Sequence, residues 1–248
     1  MTDLLARRPG LLVLIDPGCT GPDQAAGLAR TVLQEGAAGL LIGGSFDGGG
    51  ETHRVAAAVR AAAPGLPVAL FPGSAMQLTD QVDLILFLSL VSGRNAQYLI
   101  EEHVRAVPFL QRHPVATLST AYMLIDGGRV TSVEAVSQTR PLPADKPELA
   151  AAHTRAARLI GMQAIYLDAG SGAERPVPPA VIAACRATLA DAAVPMFVGG
   201  GIRTPDAVAA ARSAGADFVV IGNALEGEPV DSARTLDGFV RAARGTGA

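Results

Sequence analysis

Eight short apolar runs recur along the chain, and their spacing leaves few architectures open. They are LLVLID (11–16), GLLIGG (39–44), PVALFPG (67–73), DLILFL (83–88), VATLSTAYML (115–124), QAIYLD (163–168), VPMFVGG (194–200) and DFVVIG (217–222). Each is leucine-rich or β-branched and almost wholly apolar, the pattern of strands buried on both faces. Ala-rich segments with helical spacing separate most of them, at 22–35, 51–63, 95–111, 147–160, 178–192 and 204–214. Such alternation over 248 residues predicts an α/β fold, a (β/α)8 TIM barrel. An open doubly wound sheet uses the same units and is the alternative. Glycine-rich strand exits at both ends of the chain favour closure. No composition shift or low-complexity linker divides the sequence, so residues 1–248 read as a single domain.

Two places break the rhythm. Only GSAMQLTDQV separates the third and fourth strands. A crossover with its helix needs at least ~10–12 residues, so the third helix is expected to be missing or shortened. Conversely, a long stretch separates the fifth and sixth strands. There MLIDGGRVTSVEAV reads as a hairpin around Asp126-Gly127-Gly128, and PLPADKP as a loop before the next helix.

Charge and cysteine content narrow the function classes. The formal net charge is −3, without the basic patch that nucleic-acid binding needs. Cys19 and Cys185 are far apart and in no CxxC pattern, and read as reduced thiols of a cytoplasmic protein. MTDLLARRPG lacks a signal-peptide core, and no apolar run reaches the ~18 residues of a membrane span.

In a (β/α)8 barrel the reacting groups lie at the C-terminal ends of the strands. Those ends carry Asp16, Gly43-Gly44-Ser45, Phe71-Pro72-Gly73, Ser89, Tyr122, Asp168, Gly199-Gly200-Gly201 and Gly222-Asn223. VGGGIRTPD and VVIGNALEG follow strands seven and eight, where backbone N–H groups and a helix N-terminus commonly hold a phosphate. Thr204-Pro205 fits an N-cap and first helical residue. The competing reading is that these glycines only make tight turns. In YLDAGSGA, Asp168 suits a general base and Gly-Ser-Gly a second phosphate contact; the alternative is an aspartate capping its own turn. Asp16 and Ser45 lie on adjacent strand ends, and a carboxylate with a hydroxyl is a sparse Mg²⁺ site. Against it stand an Asx-turn at Pro17-Gly18 and a helix cap at Ser45. The four histidines share no spacing and read as surface residues, and the Met and Phe residues mostly as core.

Taken together, LIDP, LLIGGS, PVALFPG, SGRNAQYLIEEHV, AYMLIDGG, IYLDAGSGAERPVP, VGGGIRT and GADFVVIGN resemble, in order, the geranylgeranylglyceryl phosphate synthase family. The resemblance runs from about Leu11 to Glu226 and is strongest to the bacterial and group II branch. It implies a modified (β/α)8 barrel in which the third helix is missing or replaced. It also implies a prenyltransferase that joins an allylic prenyl diphosphate to sn-glycerol 1-phosphate as an ether, with Mg²⁺. By the resemblance, Asp16 and Ser45 hold Mg²⁺ on the diphosphate. Tyr166, Leu167, Asp168, Ala169, Gly170, Ser171, Gly172, Gly200, Gly201, Gly222 and Asn223 hold the glycerol phosphate. Asp168 takes the hydroxyl proton, and Tyr122 positions or stabilises substrate. Family members are often oligomers, and the lipid substrate implies work close to a membrane surface.

Two departures stand out. The family's LIDPDK is LIDPGCT here, so an acid and a lysine are absent, and Asp168 replaces the usual Glu. The shorter arm withdraws the carboxylate by about 1 Å, a shift worth ~10²-fold in rate if nothing compensates. These changes leave two alternatives open, and the GGGI and GN motifs, which fit many phosphate-binding barrels, add a third. One is a related prenyltransferase using 3-phosphoglycerate, as in moenomycin-type synthesis. Another is a phosphate-binding barrel without turnover. The third is a sugar-phosphate isomerase or lyase. A lysine-dependent aldolase is disfavoured, because the only lysine, Lys146, lies in the PLPADKP loop.

Overall fold

A computed structural model describes residues 3–45, 49–189, 193–222 and 232–245. Its strands are β1 (Gly10–Ile15), β2 (Gly39–Ile42), β3 (Val68–Leu70), β4 (Leu84–Leu90), β5 (Ala116–Leu124), β6 (Ala164–Asp168), β7 (Met196–Gly199) and β8 (Phe218–Ile221). Each falls on one of the eight apolar runs. All pair in parallel with their sequence neighbours, and β1 pairs with β8, with Leu12 opposite both Gly39 and Val220. The barrel is therefore closed, and the open sheet is excluded.

The near-continuous apolar runs are explained by burial on two sides. Leu11, Val13 and Ile15 of β1 join one cluster with helical residues such as Ala25, Ala29 and Val32. Leu12 points the other way, into an interior cluster with Leu41, Leu86, Tyr122, Tyr166, Phe197 and Phe218. Side chains alternate across a strand, so both sets must be apolar. Aromatic rings form a column down the interior: Tyr166 stacks on Phe197 at 5.8 Å, and Phe197 on Phe218 at 5.0 Å.

Helices α1 (Asp3–Ala6), α2 (Pro22–Gln34), α3 (Gly49–Ala62), α4 (Glu102–Arg112), α5 (Ser132–Ser137), α6 (Pro147–Leu159), α7 (Pro179–Thr188), α8 (Pro205–Ser213) and α9 (Ser232–Arg244) complete the described elements. Four of them, α2, α6, α7 and α8, begin on proline, whose missing N–H and fixed φ suit the first helical position. Thr204 caps α8 as expected, its hydroxyl accepting from Ala207 N at 3.2 Å. Leu4 of α1 is buried in the interior cluster, at the end opposite the strand exits. Helix α9 had no counterpart among the sequence-based segments. Its buried Leu236, Phe239, Val240 and Ala243 recur at helical spacing, a signal the strand–helix count passed over. Among the described residues no helix is long and apolar enough to cross a membrane.

The crossover helix between β3 and β4, the third of the barrel's ring, is indeed absent. A single 3₁₀ turn, Ala75–Gln77, spans β3 to β4. Gln77 pins it from within, donating to Gly44 O at 3.1 Å and accepting from Gly73 N at 2.7 Å. A single turn cannot cover the outer face of β3 and β4, and the space left over becomes part of the site. The segment before α4 also differs from expectation: 97–101 form a π-helical turn, and the α-helix starts only at Glu102.

The hairpin expected over 123–136 does not form. Both edges of β5 are already paired, to β4 and to β6, so a returning strand finds no free edge. The chain instead turns at Asp126, where Gly128 N donates to the carboxylate at 2.8 Å, and forms α5. One parallel bridge, Ile125 to Leu142, is all the extra pairing that remains.

Candidate active site

Two cavities adjoin at the strand exits, one richer in polar and glycine residues, the other in apolar side chains with Glu102 and His103 also at its wall. One, with about 1210 Å³ of empty space, is lined by Asp16, Asp168, Ser171, Arg203 and the glycines Gly172, Gly200, Gly201 and Gly222. The other, about 750 Å³, is lined by Leu78, Phe87, Leu88, Leu90, Tyr122, Val133 and Val136. It lies where the third helix would have packed. Gly44, Ser45 and Phe71 line both. A molecule with a charged head and an apolar tail would pass these three residues.

Three strand exits share one local device. In Asp16-Pro17-Gly18, Asp126-Gly127-Gly128 and Asp168-Ala169-Gly170, the glycine N–H donates to its aspartate's Oδ1 at 2.8 Å. The turn-capping reading is therefore correct for Asp16 and Asp168, and it does not compete with the chemical one. The turn occupies Oδ1 and fixes the carboxylate, leaving Oδ2 for other work.

Asp168 is the buried acid of the site, 7% exposed. Tyr122 donates its hydroxyl to Asp168 Oδ2 at 2.7 Å. Burial raises the Asp168 carboxyl pKa; the bonds from Tyr122 and from Gly170 N–H pull the other way, with burial the larger cause. Burial, reinforced by the Asp168 charge, holds the Tyr122 and Tyr166 hydroxyls well above the ordinary tyrosine range, so both remain protonated. A carboxylate biased towards its protonated form and wired to a tyrosine donor is suited to accepting a proton.

Gly200 makes this arrangement possible. Its φ is +78°, and a Cβ there would lie 2.4 Å from Asp168 Oδ1 and 2.6 Å from Gly170 N. Gly44 backs Asp16 similarly: a Cβ would sit 2.7 Å from both carboxylate oxygens.

The other candidate residues divide by strand geometry. Tyr166 lines the polar cavity. Leu167, the next residue, points into the outer helix-facing core and does not reach the site. Ala169 packs there too, and its N–H is taken by Gly199 O at 3.1 Å. The Gly170 N–H is taken by Asp168, so of the Gly-Ser-Gly trio Ser171 and Gly172 line the cavity. Tyr122 fronts the apolar cavity rather than the polar one. Ser45 lines both cavities, and the residues between it and α3 lie outside the described ones. Asn223 lies outside the described residues.

Three contributors went unrecognised in the sequence. Arg203, in GGGIRT, is the one cation lining the polar cavity among the described residues, and its guanidinium is held by Ala173 O at 2.8 Å. Ser132, at the start of α5, lines the same cavity but was hidden by the hairpin reading. His103 is not a surface residue. It lines the apolar cavity with its ring on Phe87, centroids 4.2 Å apart, and burial lowers its pKa. Cys19, in place of the family's lysine, is exposed at the polar cavity, whereas Cys185 is buried.

With this geometry in view, the likenesses to known proteins are informative. The model of the PcrB family matches residues 3–243. The geranylgeranylglyceryl phosphate synthase of Spirosoma linguale is 41% identical over 225 residues, covering 91% of this chain and 89% of that protein. That of Methanopyrus kandleri is 36% identical, covering 91% and 92%. The crystal structure of the Thermoplasma acidophilum (S)-3-O-geranylgeranylglyceryl phosphate synthase, in complex with its substrate sn-glycerol-1-phosphate, superimposes with a TM-score of 0.90 at 29% identity, covering 99% of each chain.

Proposed function

The chain belongs to the PcrB family, and from that premise we propose that it is a prenyltransferase joining an allylic prenyl diphosphate to sn-glycerol 1-phosphate through an ether, with release of diphosphate. The observation that carries the reading is the junction at Gly44, Ser45 and Phe71 between an apolar groove and a polar, glycine-lined cavity. The groove suits an isoprenoid tail. The polar cavity suits two phosphate-bearing groups, with Arg203 as the cation and Asp168 as the base.

The proton transfer follows from the geometry. The acceptor hydroxyl, held in the polar cavity, gives its proton to the Asp168 carboxylate as its oxygen bonds to C1 of the donor. Tyr122 keeps that carboxylate in place through its 2.7 Å bond. A positioned base of this kind is worth ~10²–10⁴-fold. The leucine-, valine- and phenylalanine-lined groove keeps water from the reacting carbon, which would otherwise be hydrolysed.

Mg²⁺ fits the donor set. Asp16 Oδ1 is used by Gly18 N–H, while Asp16 lines the polar cavity and Ser45 the junction, each offering oxygen to it. No cluster of three His, Cys, Asp or Glu ligands exists among the described residues. One carboxylate and a hydroxyl match the way Mg²⁺ binds, through few protein ligands plus water and substrate phosphate oxygens. When bound, the ion neutralises charge on the departing diphosphate. Asp16→Asn keeps an acceptor for Gly18 N–H and so keeps the turn. It is expected to weaken Mg²⁺ binding by at least ~10–100-fold, the loss caused by removing even outer partners of a metal site. Calorimetric titration with Mg²⁺ in the presence of inorganic diphosphate reads this directly; unchanged affinity would exclude Asp16 as a ligand.

The activity itself is tested by incubating the protein with Mg²⁺, labelled prenyl diphosphates of several lengths, and sn-glycerol 1-phosphate or 3-phosphoglycerate. An ether product with the first acceptor is the expected result. Product with 3-phosphoglycerate alone would reassign the acceptor, and no product with any pair would reject prenyl transfer.

A further inference from the structure

We propose that Phe71 is a catalytic residue, its ring face stabilising the positive charge that develops at C1 of the prenyl donor. The proposal rests on the prenyl-transfer reading above. Phe71 follows β3 directly, and its N–H is fixed by Ile42 O at 2.8 Å. With Gly44 and Ser45 it lines both cavities, and of the three it alone carries an aromatic ring. A donor with its tail in the groove and its diphosphate beside Asp16 and Ser45 must pass this point with C1, the atom joining tail to leaving group.

The ring is held for this task by its neighbours. It stacks on Tyr166 with centroids 4.8 Å apart and planes at 28°, and meets Tyr122 edgewise at 5.8 Å and 61°. Both tyrosines are buried, whereas Phe71 remains partly exposed. Of the three aromatic residues it alone lines both cavities. An aromatic face carries negative quadrupolar charge and attracts a cation within about 6 Å of its centroid, more strongly where water is excluded.

The step balances without a redox partner. The C1–O bond breaks heterolytically and its electron pair leaves with the diphosphate. The allylic carbons share the resulting positive charge beside the Phe71 ring. The acceptor hydroxyl oxygen then supplies the pair for the new C1–O bond, and its proton passes to Asp168. Nothing is oxidised or reduced.

The rival explanation is that Phe71 only shapes the junction wall. Replacing it with mono-, di- and trifluorinated phenylalanine separates the two, since fluorine drains charge from the ring face while barely changing its shape. Rates are measured in single turnovers, so that product release does not mask the chemical step. The logarithm of the rate is expected to fall linearly with fluorine count, while donor affinity and thermal midpoint stay constant. Phe71→Leu, which has no π face, is expected to lose about 30-fold, the rate equivalent of a well-desolvated cation–π contact. A flat fluorine series, or rates that follow the thermal midpoint, would overturn the proposal. If the unmodified protein makes no ether from any allylic donor, the prenyl-transfer reading fails first; a flat series in an active enzyme rejects Phe71 alone.

Discussion

Asp168→Asn is expected to lower the rate of ether formation by ~10²–10⁴-fold and, at the same time, to raise the thermal midpoint at neutral pH. The two effects share a cause. Asp168 is buried among Tyr122, Gly170 and Gly200, and burial lifts its pKa above the ordinary carboxylate value of about 3.9. The native state therefore holds the proton more tightly than the unfolded chain does. The stability that proton brings is fully present below the unfolded pKa and is lost as pH rises through the higher native one. Above that native pKa the folded protein thus carries a carboxylate its surroundings disfavour, a cost accepted for the sake of a base. Asparagine keeps an acceptor for Gly170 N–H and removes the charge. Even ~1 kcal/mol so recovered moves the midpoint of a chain this size by roughly 2–4 °C. The gain should shrink as pH falls through the raised native pKa and be gone only well below about 3.9, where the wild-type carboxyl is protonated in both states. Correspondingly, the acid limb of the wild-type rate profile should lie above the pH at which a free aspartate titrates. A variant that lost stability at pH 7 would show that the Tyr122 and Gly170 bonds outweigh burial.

Gly200→Ala should be severely damaging for a one-methyl change beside Asp168. Two penalties coincide there. The backbone sits at φ +78°, where a non-glycine residue costs ~1–3 kcal/mol. The new Cβ would also lie 2.4 Å from Asp168 Oδ1, 2.6 Å from Gly170 N and 2.7 Å from Ala169 N. The β6 and β7 exits must part to admit it, carrying the carboxylate out of position. A displacement of about 1 Å costs roughly 10²-fold in rate. Gly172→Ala is the internal control. Its φ is similar, +73°, but nothing stands within 4 Å of a Cβ. Both variants should lose thermal stability through the backbone, and Gly200→Ala should lose substantially more of both stability and rate. Equal losses would mean that the contact with Asp168 is relieved cheaply.

Much of the fold was legible in the chain because strands buried on two faces leave nearly uninterrupted apolar runs, and eight of them are hard to mistake. The missing third helix could be read from the short GSAMQLTDQV segment alone. Helix α9 and the π-helical turn before α4 were less visible. The first lies beyond the last strand, where the alternation no longer guides; the second is a hydrogen-bonding detail that side-chain spacing does not encode. The failed hairpin shows the limit of local reasoning. Asp126-Gly127-Gly128 does make a turn, but whether a returning strand can pair depends on β4 and β6 having already occupied both edges of β5.

The site divides the same way. Which carboxylates stand at strand exits follows from the sequence, because the position of Asp16 and Asp168 at the ends of apolar runs fixes the face they share. That ordered set of motifs also carried the family resemblance. Leu167 was included and Arg203 overlooked for opposite reasons. A motif read as a continuous string includes Leu167, although strand alternation turns it outward; Arg203 is brought to the cavity by loop folding that spacing does not reveal. The joining of an apolar groove to a polar cavity at Phe71 was decided only in three dimensions. It depends on a helix that is not there, and on rings from β5 and β6 stacking against the exit of β3, contacts between residues far apart in the chain.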